Sequence, residues 1–369
     1  MTNTFFSFSR RTTLRNFCLT CLIALAFSTI LPLQASAKID NSLLKEANLQ
    51  TVWQSTLPLN ANEKIEEMTI IGNNVYIRTN DNYIFCMDRH NGKMVFSLPA
   101  AEKNMPVSRP TEYNDKAYYV AANDLLAIDL RTGNELYRKR INFPAHLRPS
   151  VNERYYYIAG MDKQLHVTDH NMFTVFRVNP NDRSGITSVA ANESTIAFAT
   201  NSGKVYCMDA NQPIKQWEFD TVGDIEAPLT KLDDAIYVSS KDTNLYKLDA
   251  HNGRQIWKFY TGCFLGVSAR AYEKVVYQNA PNKGLYAIDA NSGKQLWLSK
   301  DGADVLAEDA NTAYIISKKN ICEVMDNTKA KKLYTINFEA VTAFATNPFD
   351  SKMYVMEDNK ILCFAPIKK

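Results

Sequence analysis

The chain has 369 residues, 46% of them hydrophobic and 22% charged, with 42 Lys and Arg against 39 Asp and Glu. A formal charge of only +3 argues against a basic nucleic-acid-binding surface. Length alone allows two domains, but no low-complexity linker or shift of composition interrupts residues 61–367.

Residues 1–37 read as a signal peptide. Arg10, Arg11 and Arg15 precede an apolar run from Phe17 to Leu33, and Ala35-Ser36-Ala37 supplies a small-residue cleavage pattern before Lys38. The run is short for a bilayer span and breaks at Pro32, which disfavours the competing reading, an uncleaved anchor. Ser9 to Arg15 resembles a twin-arginine export signal, although Thr13 stands where that pattern prefers Phe. Cys21 lies ahead of most of the apolar run, so no lipid anchor is expected. The expectation is an exported protein of the periplasm or cell envelope, near zero net charge once the three arginines are removed, with no membrane span left.

Residues 38–48 form an N-terminal extension, and residues 49–369 are expected to be one β-propeller. Leu49 to Leu57, with Trp53, has the pattern of an outer aromatic strand without a hairpin before it. A repeat then follows, clearest at Leu245–Trp257 and Leu285–Trp297. In each copy an alternating run with the period of a strand leads into Asp-x-x-x-Gly and then a second strand ending on an aromatic residue. The Asp carboxylate suits the backbone of its own turn, and the Gly a positive φ, so the unit is a β-hairpin.

The turn aspartates are Asp88, Asp129, Asp169, Asp209, Asp249, Asp289 and Asp326, spaced by 41, 40, 40, 40, 40 and 37 residues. The accompanying aromatics are Phe96, Tyr137, Phe176, Trp217, Trp257, Trp297 and Tyr334. Phe176 follows a turn one residue shorter, and Phe173, Pro213 and Ala330 replace the turn Gly in blades 3, 4 and 7. Two further strands precede each hairpin, as at Asp234–Ser240, Glu273–Asn279 and Asn311–Ser317. Four short strands per 40 residues is the spacing of a propeller blade. An eighth unit starts at Val341, continues through Met353–Met356 and Ile361–Ala365, and stops before its aromatic strand. Trp53 and its strand supply the missing piece, so the expected fold is all-β: eight four-stranded antiparallel blades closed by the two chain ends, with seven blades as the fallback. The eight aromatics, Trp53 included, are expected to dock between neighbouring blades. Trp257→Ala should cost about 3 to 5 kcal/mol.

Chemistry-bearing residues are few. Five cysteines remain after residue 37; Cys86 and Cys207 read as small core residues, and a Cys322–Cys363 pair between neighbouring blades is left open. No spacing resembles a zinc site. The histidines form no catalytic constellation: His90 and His251 fall in turns, His170 beside one, His166 on a strand and His146 in a loop. Arg109-Pro110 and Arg148-Pro149 recur at the same place in consecutive blades, at the inner strand that lines the channel, whereas blade 5 has Asp224 and Glu226 there. Two adjacent arginines suit a carboxylate or phosphate; solvated arginines at a loop end are the plain alternative.

The motif Leu-Tyr-Ala-Ile-Asp-Ala-x-x-Gly-Lys-x-x-Trp resembles the pyrroloquinoline-quinone-type repeat, the tryptophan-docking blade of quinoprotein alcohol dehydrogenases and of the BamB family of outer-membrane assembly factors. Blades 5 and 6 match it best. The dehydrogenase side of the resemblance implies a planar quinone, a bound calcium, a catalytic Asp and a disulfide of adjacent cysteines. This chain has no Cys-Cys pair and no long insertion to build such a chamber. The BamB side implies docking to the β-barrel assembly machinery of the outer membrane. The expected function is a monomeric, non-catalytic protein-binding scaffold of the cell envelope with no cofactor, metal or catalytic residue. A quinoprotein dehydrogenase and a structural envelope module are the alternatives.

Overall fold

Seven third-strand runs end on a turn Asp, and the carboxylate closes that turn by accepting nearby donors. Asp88 Oδ1 accepts from the backbone N–H of His90 and Asn91 at 2.7 and 3.1 Å. Asp129 does the same for Arg131 and Thr132, and Asp209 for Asn211 and Gln212. Asp326 takes Thr328 and Lys329, Asp169 takes Asn171 and Phe173, and Asp289 takes Ser292 through its amide and hydroxyl. Asp249 accepts from the His251 amide and the Asn252 side chain. The turns of blades 3 and 7, which lack Gly, place Met172 and Ala330 at φ 68° and 50°.

These hairpins sit within eight four-stranded antiparallel sheets in a computed structural model that describes residues 38–367. The expected export segment, residues 1–37, lies outside the described residues. Blade 1 is Ile65–Ile71, Asn74–Thr79, Tyr83–Asp88 and Met94–Pro99 in order from the channel outwards, and blades 2 to 7 repeat it. Blade 8 takes three strands from the C-terminal end of the chain, Val341–Ala345, Met353–Glu357 and Lys360–Pro366, and its outer strand, Leu49–Thr56, from the N-terminal end. Trp53 stands opposite Cys363 in that pairing. Eight blades therefore replace the seven-blade fallback, and the two chain ends meet in one sheet. The extension is not featureless: Asn41–Glu46 is a short helix capped by Asp40, which accepts from Leu43 N. Its Leu44 and the following Ala47 pack with Phe338 and Phe364. Among the described residues no helix is long and apolar enough to cross a membrane.

The core is eight inter-blade clusters rather than one centre. Strand alternation assigns each side chain to a seam: Leu285 and Ala287 face Val305 of blade 7, while Tyr286 and Ile288 face Trp257 of blade 5. The same alternation separates the two cysteines left open above. Cys322 packs in the seam of blades 7 and 8, Cys363 in that of blades 8 and 1, and all five described cysteines are free.

The docking aromatics join one blade to the next. Indole Nε1 of Trp53 donates to Arg89 O, Trp217 to Ala250 O, Trp257 to Ala290 O and Trp297 to Asn327 Oδ1, all within 2.8–3.1 Å. Each acceptor lies on the turn of the following blade. A Cβ on Gly92, Gly253 or Gly293 would lie 2.4–2.7 Å from the ring of Trp53, Trp217 or Trp257. Those turn glycines answer two demands at once, a φ near 70° and a flat seat for an indole. Phe96 is buried against Tyr76 and Tyr119. Tyr137, Phe176 and Tyr334 are less covered; Tyr137 Oη bonds Tyr156 Oη at 2.5 Å and Tyr334 Oη donates to Ala47 O at 3.0 Å.

Candidate functional site

The inner strands enclose a central channel whose main cavity, about 420 Å³, draws its wall from blades 1, 2, 5, 6, 7 and 8. Arg109, Lys231, Arg270 and Asp304 contribute charge, and Ile70 and Phe344 are among the apolar contacts. Arg270 grips Asp304 with both Nε and Nη2, at 3.1 and 2.7 Å. The Asp304 charge helps hold the Arg270 pKa above its ordinary value against the opposing, larger effect of burial.

Of the two expected arginines, Arg109 is already committed. It pairs with Glu67 of blade 1, so it is no free anion grip. Arg148 makes no hydrogen bond or ion pair among the described residues. It is open to channel solvent yet crowded by protein, and desolvation together with the like charge of Arg109 lowers its pKa from the usual guanidinium value. Asp224 and Glu226 do not face this pair. Both lie within 4.0 Å of Lys241 in blade 5. Two inner-strand carboxylates of the channel wall, Glu67 and Asp304, are each paired with a guanidinium group of a neighbouring blade. Among the described residues no group of three or more His, Cys, Asp or Glu side chains could hold a metal ion.

A second surface lies where outer strands hand over to the next blade, the side that also carries the turns between second and third strands. Two handover loops flank one such turn in blade 5. Val222 N donates to Asp242 Oδ2 at 3.3 Å, and Leu265 N to Ser240 O at 3.3 Å. Val222 and Phe264 therefore project beside the same turn, 96% and 69% exposed. Two large apolar side chains this bare beside one turn make that turn a candidate contact surface. Sequence reasoning missed them because each falls outside the hairpin motif; the signal was an apolar residue within two positions of a loop glycine, Val222-Gly223 and Gly262-Cys263-Phe264. It also missed Asp304, which serves no hairpin turn.

The sequence family described as "Outer membrane protein assembly factor BamB" matches residues 42–154 and 174–345. Among solved structures, the crystal structure of BamB from Moraxella catarrhalis aligns with TM-score 0.63 at 13% identity, covering 86% of this chain and 99% of that one. A computationally designed protein, Ika8, aligns with TM-score 0.63 at 13% identity, over 84% of this chain and 98% of the design. No curated protein matches the sequence. At such identities the structural likeness concerns the fold.

Proposed function

The chain belongs to the BamB family of outer membrane protein assembly factors, and on that premise we propose that it is a non-catalytic, protein-binding scaffold of the cell envelope that assists β-barrel assembly. The observation that carries this reading is the pair Val222 and Phe264, two bare apolar side chains on loops bonded to one turn of blade 5. A docking surface needs apolar anchors held still, since the ordering cost is then met in the fold rather than at association. Neighbouring loops of blade 5 hold both anchors to one turn, and Lys241, Asp224 and Glu226 give that turn a polar border. The aspartates of the repeat motif are occupied by their turns, which is support for a scaffold over an enzyme.

The test is co-purification from cell envelope with the exported chain as bait. Recovery of the β-barrel insertion machinery is expected, with at least about tenfold less recovered when Val222→Glu and Phe264→Glu are combined. Quinone-dependent dye reduction in the presence of calcium, with no machinery recovered, would contradict the reading.

A further inference from the structure

The third strand of blade 3, Leu165–Asp169, departs from its sister strands at two positions that share one side. Directly before the turn Asp the other six hairpins carry Met87, Ile128, Met208, Leu248, Ile288 and Met325, whereas blade 3 carries Thr168. Three residues before the Asp, blades 4, 5 and 6 carry Tyr206, Tyr246 and Tyr286, whereas blade 3 carries His166. Both odd side chains are buried, His166 to 2% exposure and Thr168 to 3%.

The consequence is a cavity. In blades 5 and 6 the tyrosine meets Phe219 or Phe259 edge-on, with centroids 5.3 and 5.2 Å apart. In blade 3 Phe143, from the loop after blade 2, lies flat on the imidazole at 3.5 Å and 9°. About 170 Å³ stays open in the seam, walled by Arg140, Asp162, His166, Thr168 and Arg177 among others. His166 Nε2 is 2.9 Å from Asp162 Oδ2, but His166 Nδ1 and Thr168 Oγ1 are buried without any partner. A buried polar atom left without a partner destabilises the fold. The sister blades show that apolar or aromatic side chains fit these positions, so packing does not require the polar pair.

The chemistry of the walls specifies a ligand. Burial lowers the His166 pKa despite the opposing pull of Asp162, so the ring is neutral at pH 7. Because a carboxylate only accepts, Nε2 keeps the proton and Nδ1 presents a lone pair. Arg177 has no ion pair among the described residues, and Arg140 has only Asp124 at 3.4 Å. The cavity thus offers guanidinium donors for an anionic oxygen beside an acceptor for a hydroxyl. We propose that the seam between blades 2 and 3 binds a small hydroxycarboxylate, its carboxylate toward Arg140 and Arg177 and its hydroxyl donated to His166 Nδ1, with Thr168 Oγ1 as a further partner.

L-tartrate is the probe, titrated into histidine-labelled protein and followed by the imidazole resonances of His166 and by calorimetry. A saturable shift at His166 is expected. Succinate, which keeps both carboxylates and lacks the hydroxyls, should bind at least about tenfold more weakly. His166→Tyr and Thr168→Met, which restore the side chains found in blade 4, and Arg177→Ala, on the exposed outer strand, should each weaken tartrate by at least about tenfold. No saturable shift, equal affinity for succinate, or unchanged tartrate affinity in these variants overturns the proposal.

Discussion

The seam between blades 5 and 6 and the seam between blades 2 and 3 are built from the same repeat and reach different ends. In the first, Trp257 is 7% exposed, lies on Gly293, donates to Ala290 O, and packs with Tyr237 and with Tyr286 and Ile288 of the next sheet. In the second, Tyr137 replaces the indole, Met172 stands in a turn without Gly, and His166 and Thr168 replace the aromatic–aliphatic pair. Tyr118 and Tyr156 fill part of the gap, and Tyr156 stacks on His170 at 4.7 Å. Blade pairing survives both solutions. What the motif secures is therefore the register of the ring, while the chemistry of each seam is free to vary.

The largest effect that separates the seams is expected at their docking aromatics. Trp257→Ala should lower the unfolding free energy by about 3 to 5 kcal/mol, by loss of a filled site and its hydrogen bond. Tyr137→Ala should lower it by about 1 kcal/mol, because that ring is only partly covered. Urea titration of both variants checks the contrast, and equal losses would break it.

A smaller effect separates the seams by pH. Burial holds the His166 pKa below its ordinary value of 6.5. Below that value the unfolded chain binds a proton that the folded imidazole refuses, so stability falls as the pH drops from about 6.5 through the folded pKa. Asp162 and Arg177 act on the same ring in opposite senses. Wild type should lose stability between pH 7 and 5 beyond any loss shown by His166→Tyr, as read by thermal unfolding. Parallel curves would remove His166 from the account.

The ring was legible because its determinants repeat. The seven turn aspartates and their aromatics count the blades, and Trp53, an outer-strand aromatic without a hairpin, gives the closure. The short helix was harder to read: Asn41–Glu46 is too brief to show a period, although Asp40 is a good cap. Channel pairing was not legible, since Glu67 with Arg109 and Arg270 with Asp304 unite neighbouring blades at positions the repeat does not fix. Arg148 could be placed beside Arg109, but its lack of a partner depends on neighbours from other blades that the repeat does not fix. Thr168 was readable in principle by stacking the repeats and asking which column breaks. Its importance shows only when His166, two residues away on the same side of the strand, opens into the same space.

The most direct test of the docking surface is site-specific photocrosslinking in the cell envelope. Phe264 lies on the handover side of the ring, and Phe173, 71% exposed, lies at a hairpin turn on the opposite side. A photoreactive phenylalanine at position 264 should crosslink the β-barrel insertion machinery, and the same group at position 173 should not. Crosslinking of that machinery from 173 and not from 264 would contradict the account.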